Sequence, residues 1–267
     1  MLVPLYPVGL EPCPLIGAYL KLKLHRQQKL LIYSNYIASM DGRISLPNAQ
    51  GEQVVPASIA NKRDWRLYQE LAAQADVMLT SARYFRQLAK GCAQDLLPVG
   101  QGDYADLLVW RAEQGLKTQA DIVIFSRSLA IPLDSLEPYL AQRNIHIFCP
   151  ETANKDKCKA FQDIGVQLHI AGKEAVQAKE VRQLLEHLNY RSAYMIAGPE
   201  VHRTLLIGKQ LDRLFLTQYL SLLGQNNFHS ITTDAMEACP MTLESMALDQ
   251  QEGQVFNQFS FCNTSCA

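Results

Sequence analysis

From Lys29 to Ala38 the chain alternates: Leu31, Tyr33, Asn35 and Ile37 share one side, and Ile32, Ser34 and Tyr36 the other. That period of two predicts a sheet strand, and Asp41-Gly42 predicts a turn at its end. The period then changes. Trp65, Leu67, Tyr68, Leu71 and Ala72 recur at helical spacing behind Asn61, so a helix is expected from Lys62 to about Ala73 with Asn61 as its N-cap. Trp65 is read as packing within that stripe rather than as a stacking surface for a substrate. Further along, short apolar runs at Val77–Thr80, Asp121–Phe125, His146–Cys149 and VQLHI (residues 166–170) predict strands. Helices are expected over Ser81–Lys90, near Tyr104–Gln114, near Lys155–Ile164 and over Glu174–Asn189.

The run Met195 to Gly224 condenses the same alternation into thirty residues. A strand at Ala193–Ala197 is broken by Gly198-Pro199. Val201, Leu205 and Leu206 mark a helix, with Gly208 expected as its left-handed C-cap, and Leu214 to Tyr219 alternate again. His202 is expected on that helix's surface. Leu243–Asp249 and Val255–Phe261 form a terminal hairpin across Gln250–Gln254. Strands alternating with helices predict an α/β chain: three layers, α/β/α, around a mixed and mostly parallel sheet closed by an antiparallel hairpin. Residues 29–267 read as one domain. Residues 1–28, rich in Pro and Gly up to Gly17, read as an arm lying on its surface.

Composition narrows the function classes. A formal net charge of -1 and a pI near 6.6 give no global attraction to nucleic acid or anionic membrane, so any phosphate must be recognised locally. The seven cysteines lack a CxxC pair; Cys262 and Cys266 lie close together without a histidine at zinc-finger spacing, and all seven are read as reduced thiols of a cytoplasmic protein. No metal site is expected. Apolar runs fall short of the roughly 20 residues that span a bilayer.

Ligands of open α/β sheets lie beyond the carboxyl ends of the strands. Four predicted strand ends carry glycine or polar residues: Ser39–Gly42, Thr80–Arg83, Ser126-Arg127 and Ala197–Glu200. Gly198 leaves helical N–H groups and a positive dipole end open to a pyrophosphate. Arg127, fixed by a strand, can grip a phosphate through paired N–H bonds, and Arg83 can assist. The polar stretch Pro47–Val55 is a loop able to cover such a site.

In their order and spacing, Ser39-Met40-Asp41-Gly42, Leu79-Thr80-Ser81-Ala82 and Ala197-Gly198-Pro199 resemble the riboflavin-biosynthesis pyrimidine reductases, the reductase half of the bifunctional deaminase/reductase, which have the dihydrofolate reductase-like fold. The resemblance runs from about Leu30 to the last strands. It implies an NADPH-dependent oxidoreductase that reduces C1′ of a phosphorylated ribosylamino-pyrimidine to a ribityl chain, in a homodimer. It places the cofactor on Ala38, Asp41, Gly42, Thr80, Ser81, Arg83, Ser126, Arg127, Ala197, Gly198, Pro199, Glu200 and Val201, with Ser126-Arg127 on the 2′-phosphate. Substrate falls to Asn35, Ser39 and Ile196, and Asp41 is the candidate for a catalytic role near the nicotinamide.

The chain departs from that family at four points. Ile196 stands for a substrate-binding Glu, Leu71-Ala72-Ala73 for Leu-Arg-Ala, Ala197 for the first Gly of Gly-Gly-Pro, and Glu200 for the Thr after Pro. Neither the H-x-E nor the P-C-x-x-C of the companion zinc deaminase occurs. Two other readings therefore stay open: a reductase of a different small heterocycle or carbonyl, and a nucleotide-binding homologue without turnover.

Overall fold

The alternation of the first long strand becomes a division between two cores. In the computed structural model, which describes residues 1–94, 96–232 and 235–262, Tyr33 packs into one buried cluster with Leu67 and Leu71, while Ile32 packs into a second with Val181 and Leu205. Neighbouring strands divide in the same way, Met78, Ile122 and Tyr194 facing the first cluster and Leu79, Val123 and Ala193 the second. A sheet covered on both faces by helices follows from strands whose two sides are both apolar.

The strands are β1 (Val3–Tyr6), β2 (Leu31–Ser39), β3 (Leu46–Pro47), β4 (Gln53–Val54), β5 (Val77–Ser81), β6 (Asp121–Phe125), β7 (Ile145–Cys149), β8 (Gln167–Ile170), β9 (Ser192–Met195), β10 (Arg213–Tyr219), β11 (Met241–Asp249) and β12 (Gln254–Phe261). The helices are α1 (Lys62–Ala73), α2 (Ala82–Ala89), α3 (Asp106–Glu113), α4 (Glu137–Leu140), α5 (Lys155–Asp163), α6 (Ala178–His187) and α7 (Pro199–Ile207). Among the described residues the main sheet has ten strands in the order β1-β11-β12-β10-β2-β9-β5-β6-β7-β8. From β10 to β8 every pairing is parallel; β12, β11 and β1 continue the sheet antiparallel beyond β10. β3 and β4 pair as a separate small hairpin. The predicted three-layer α/β class, the mostly parallel sheet and the terminal hairpin are all present, and Asn61 caps α1 by accepting from the N–H groups of Arg63 and Asp64.

Three expectations need correcting. The first 28 residues are tied into the domain and not only laid on it: residues 5–12 are exposed, but β1 pairs with β11, and Leu2, Leu15, Tyr19 and Leu24 are buried. The reason lies on α1, whose buried Glu70 accepts from the N–H groups of Gly17 and Tyr19 at 2.6 and 2.9 Å, while Gln74 accepts from that of Leu24 at 2.9 Å. Gly208 is not left-handed (φ -76°); the left-handed residue is Lys209, at φ 54°. Glycine is needed at 208 because a Cβ there would stand 2.4 Å from the Cβ of Ala178, where α7 crosses α6. His202 is fully buried, its ring 5.0 Å from that of Tyr36 and its Nδ1 3.2 Å from the carbonyl of Ile231, with burial holding its pKa down to about 4.

Candidate active site

Because β2, β9, β5 and β6 are adjacent and parallel, their carboxyl ends share one edge of the sheet. A cavity of about 740 Å³ opens there, within the range of small-molecule sites. Asn35 enters it from β2, Thr80 and Ser81 from β5, and Ile196 and Ala197 from the end of β9. Gln53, Val54 and Val55, the last three residues of the stretch 47–55, line it from the small hairpin.

The start of α7 borders the cavity. α7 starts at Gly198, which is exposed with an extended ψ, and a Cβ placed on it would meet nothing within 4 Å. Pro199 has no N–H, so the unpaired N–H groups of that first turn are those of Glu200 and Val201, next to Gly198 and Pro199 of the cavity wall. Arg83, in the first turn of α2, lines the cavity, and so does His229 from the segment after β10. Glu200 is exposed, so the one acid of this turn does not line the cavity.

Aromatic rings and a buried carboxyl group also line the cavity. Trp65 and Tyr68 stack with centroids 4.6 Å apart and 5° between planes, and both line the cavity together with Tyr84 and Tyr104. Trp65, expected in packing rather than as a stacking surface, packs on Tyr68 and also lines the cavity. Asp64 lies here, nine-tenths buried, and its Oδ1 accepts from the hydroxyl of Thr217 at 2.5 Å. Its second oxygen has no hydrogen-bond partner among the described residues. Burial pushes its pKa up to about 6, against the pull of the Thr217 bond. Such an acid can hold a proton close to neutral pH and give it to a bound ligand. The sequence held a signal for it: Asp64 stands three and four residues before Leu67 and Tyr68, a carboxyl on the apolar stripe, hidden by its place in the first turn behind Asn61.

Of the residues assigned from the sequence, Asn35, Thr80, Ser81, Arg83, Ile196, Ala197, Gly198 and Pro199 line the cavity. Ala38, Ser39 and Val201 are buried beside it, with Ala38 and Val201 in the second core cluster. Ser126 and Arg127 end β6 on the same sheet edge, outside the cavity wall; Ser126 is buried with its Oγ unpartnered, and Arg127 is exposed. Asp41 and Gly42 also lie outside the wall. The Asp41 carboxylate is taken up by its own chain: it accepts from Ser39 Oγ at 2.5 Å and from the Gly224 N–H at 2.9 Å, and it pairs with Arg43 at 2.5 Å. Those hydrogen bonds, with Arg43, hold its pKa down to about 2. Ala72 is fully buried and does not reach the cavity. Among the described residues no cluster of three or more potential metal ligands occurs, no helix is long and apolar enough to cross a membrane, and six cysteines are free thiols; Cys266 lies outside the described residues.

Comparison with known proteins places the fold. Residues 31–252 match the model of the RibD C-terminal domain. The fold is similar to that of a pyrimidine reductase-like protein of Corynebacterium diphtheriae, at a TM-score of 0.69 and 18% identity over 87% of this chain and 92% of that one. It is similar to the riboflavin biosynthesis reductase of Saccharomyces cerevisiae, at a TM-score of 0.54 and 14% identity over 95% and 93%. It is also similar to RibD of Acinetobacter baumannii, at 0.58 and 15% over 87% of this chain, which spans only 58% of that protein. A search of curated proteins finds no match. A family model that spans most of the chain, on a sheet whose strand ends carry the motifs, leads to one conclusion: this chain belongs to the RibD C-terminal domain family, the pyrimidine reductases of riboflavin biosynthesis, and has their dihydrofolate reductase-like α/β fold.

Proposed function

We propose that the cavity binds NADPH across the ends of β9, β5 and β6 and a phosphorylated ribosylamino-pyrimidine against α1, and that the enzyme reduces C1′ of the sugar to a ribityl chain. The observation that carries this reading is one cavity lined both by an open helix N-terminus with Arg83 and by the buried acid Asp64 beside the Trp65–Tyr68 stack. The cofactor, when bound, supplies the hydride. Two features fit it. The space in front of Gly198 admits a pyrophosphate to the first turn of α7, and the buried, unpartnered Oγ of Ser126 beside Arg127 suits a 2′-phosphate.

The chain's own residues do the rest. Ring opening of the glycosylamine breaks C1′–O4′ and moves a proton to O4′; reduction adds hydride at C1′ and a proton at the exocyclic nitrogen, so one net proton must enter. Asp64, with its pKa near 6 and one oxygen fixed by Thr217, is the group we assign to hold it. Trp65, which lines the cavity, orients the pyrimidine ring. Lys62 is the basic side chain of α1 that lines the cavity, Arg63 being tied to Asp249 at 2.6 Å and Arg66 to Asp106 at 2.7 Å, so it takes the substrate phosphate. Ile196 in place of the family's Glu favours a second reading, a related NADPH reductase of another small heterocycle or carbonyl. A homodimer and a cytoplasmic setting complete the proposal. Leu5, Tyr6 and Met241, exposed along the antiparallel end of the sheet, support the first, and the free thiols the second.

Fluorescence titration with both reduced pyridine nucleotides tests the cofactor assignment. Arg127→Ala is expected to lower NADPH affinity at least about tenfold, the worth of a charge-assisted phosphate contact, and to leave NADH binding unchanged. Equal losses remove the 2′-phosphate role; no binding of either nucleotide at millimolar concentration removes the reading.

A further inference from the structure

The turn after β2 is joined to the segment after β10 over its whole length. Met40 donates its N–H to the Ser221 carbonyl at 2.9 Å, Ile44 donates to the His229 carbonyl at 2.9 Å, and His229 donates back to Ser45 at 3.2 Å. Asp41 stands at the centre of this seam. Besides Gly224, its carboxylate accepts the Leu223 N–H at 3.2 Å. It also holds Arg43, whose Nε donates to the Gln225 carbonyl at 2.9 Å and whose guanidinium lies 4.3 Å from the Phe228 ring centroid. Of the segment 221–231, His229 is the residue that lines the cavity, where the Arg83 and Glu200 charges act on its ring.

We infer that Asp41 is a positioning residue: it fastens the segment 221–231 to the β2 turn, and through that segment it sets His229 against the phosphate groups of the cofactor. The inference rests on the cofactor reading above and gives Asp41 a role that needs no contact with the nicotinamide. Both oxygens of its carboxylate are engaged by the chain, through Ser39, Leu223, Gly224 and Arg43. His229 has one backbone group in each of two bonds to the turn, so its ring moves when the seam opens. The side chain brings an N–H donor to a place where Arg83 supplies charge and α7 supplies backbone N–H groups.

The test is a double-mutant cycle on the full chain with Asp41→Ala, His229→Ala and both together, read as NADPH dissociation constant and as KM and kcat of turnover. Asp41→Ala and His229→Ala are each expected to raise the NADPH dissociation constant and KM by about tenfold, the worth of one bond to a charged group. The double variant should be no weaker than His229→Ala, with kcat at saturating NADPH held within about twofold, because the two act on one contact. Asp41→Asn still accepts the Leu223 and Gly224 N–H groups and should recover most of the affinity; hydrogen exchange of the 221–231 amides should speed up in Asp41→Ala and return in Asp41→Asn. Multiplying losses, a fall in kcat at unchanged KM, or unchanged exchange with weakened binding overturns the inference. If the wild-type chain ignores NADPH, the cofactor reading falls and takes this one with it, whereas wild-type binding with an indifferent Asp41→Ala removes only the role of the seam.

Discussion

Replacing Asp64 by asparagine should make the protein more stable and nearly inactive. In the fold the Asp64 carboxyl has its pKa raised from 3.8 to about 6, mainly by burial. At about 1.4 kcal/mol for each tenfold change in proton affinity, the cost of its charge near neutral pH comes to about 3 kcal/mol. The sign follows from the direction of the shift. A raised acid favours the fold while protonated, so its contribution is complete below pH 3.8 and disappears as the pH climbs through about 6. The replacement amide would carry no charge, and its oxygen can keep the 2.5 Å bond from Thr217. Its NH2 group is left to find a partner in a half-polar cavity, a cost of about 1–2 kcal/mol. The net gain at pH 8 is then about 1–2 kcal/mol, or roughly 2–6 °C in Tm for a domain of this size. If Asp64 holds the proton, turnover at saturating substrate falls by about 10²–10⁴, the usual worth of a general acid. Calorimetry at pH 4 and pH 8 and a rate at each pH make the assay. A variant that loses stability equally at both pH values, or one that keeps a third of the wild-type rate, refutes the reasoning.

Gly198→Val should leave circular dichroism and Tm near wild type, since the backbone there has an ordinary φ of -69° and open space in front, yet abolish NADPH binding in a titration; a variant that unfolds would show the glycine to be structural. Gly208→Ala should destabilise by about 1–3 kcal/mol in urea melts, because the new Cβ meets Ala178 at 2.4 Å, instead of giving the small gain that Gly to Ala commonly brings. Stability should fall as pH drops from about 6.5 to 4. His146 and His202 are buried, with pKa values held down to about 4, so the unfolded chain takes up those protons first. In His146→Gln, which removes the bonds to His169 and Tyr190 along with the charge, the slope of the urea midpoint against pH over that window should be shallower; an unchanged slope would clear His146.

Much of the fold is legible because period and punctuation are local. The alternation at Leu31–Ile37, the helical stripe behind Asn61 and the Gly198-Pro199 break each act within a few residues, and β2, α1 and α7 form where those signals put them. The edge that gathers the four strand ends was inferable too, since parallel strands of an α/β sheet present their carboxyl ends on one side. What the sequence alone could not decide depends on partners far along the chain. Asp64 reads as a first-turn acid until Thr217, 153 residues later, fixes one of its oxygens and the burial around it raises its pKa. The first 28 residues look detachable until Glu70 and Gln74 receive their backbone. Asp41 has the look of a turn former or a ligand contact, and only the arrival of Leu223, Gly224 and, through Arg43, Gln225 makes it the fastening of a second segment. Local propensity is a property of neighbours in sequence, whereas desolvation, charge pairing and the fate of a carboxylate's lone pairs are properties of neighbours in space, and these the tertiary structure alone assigns.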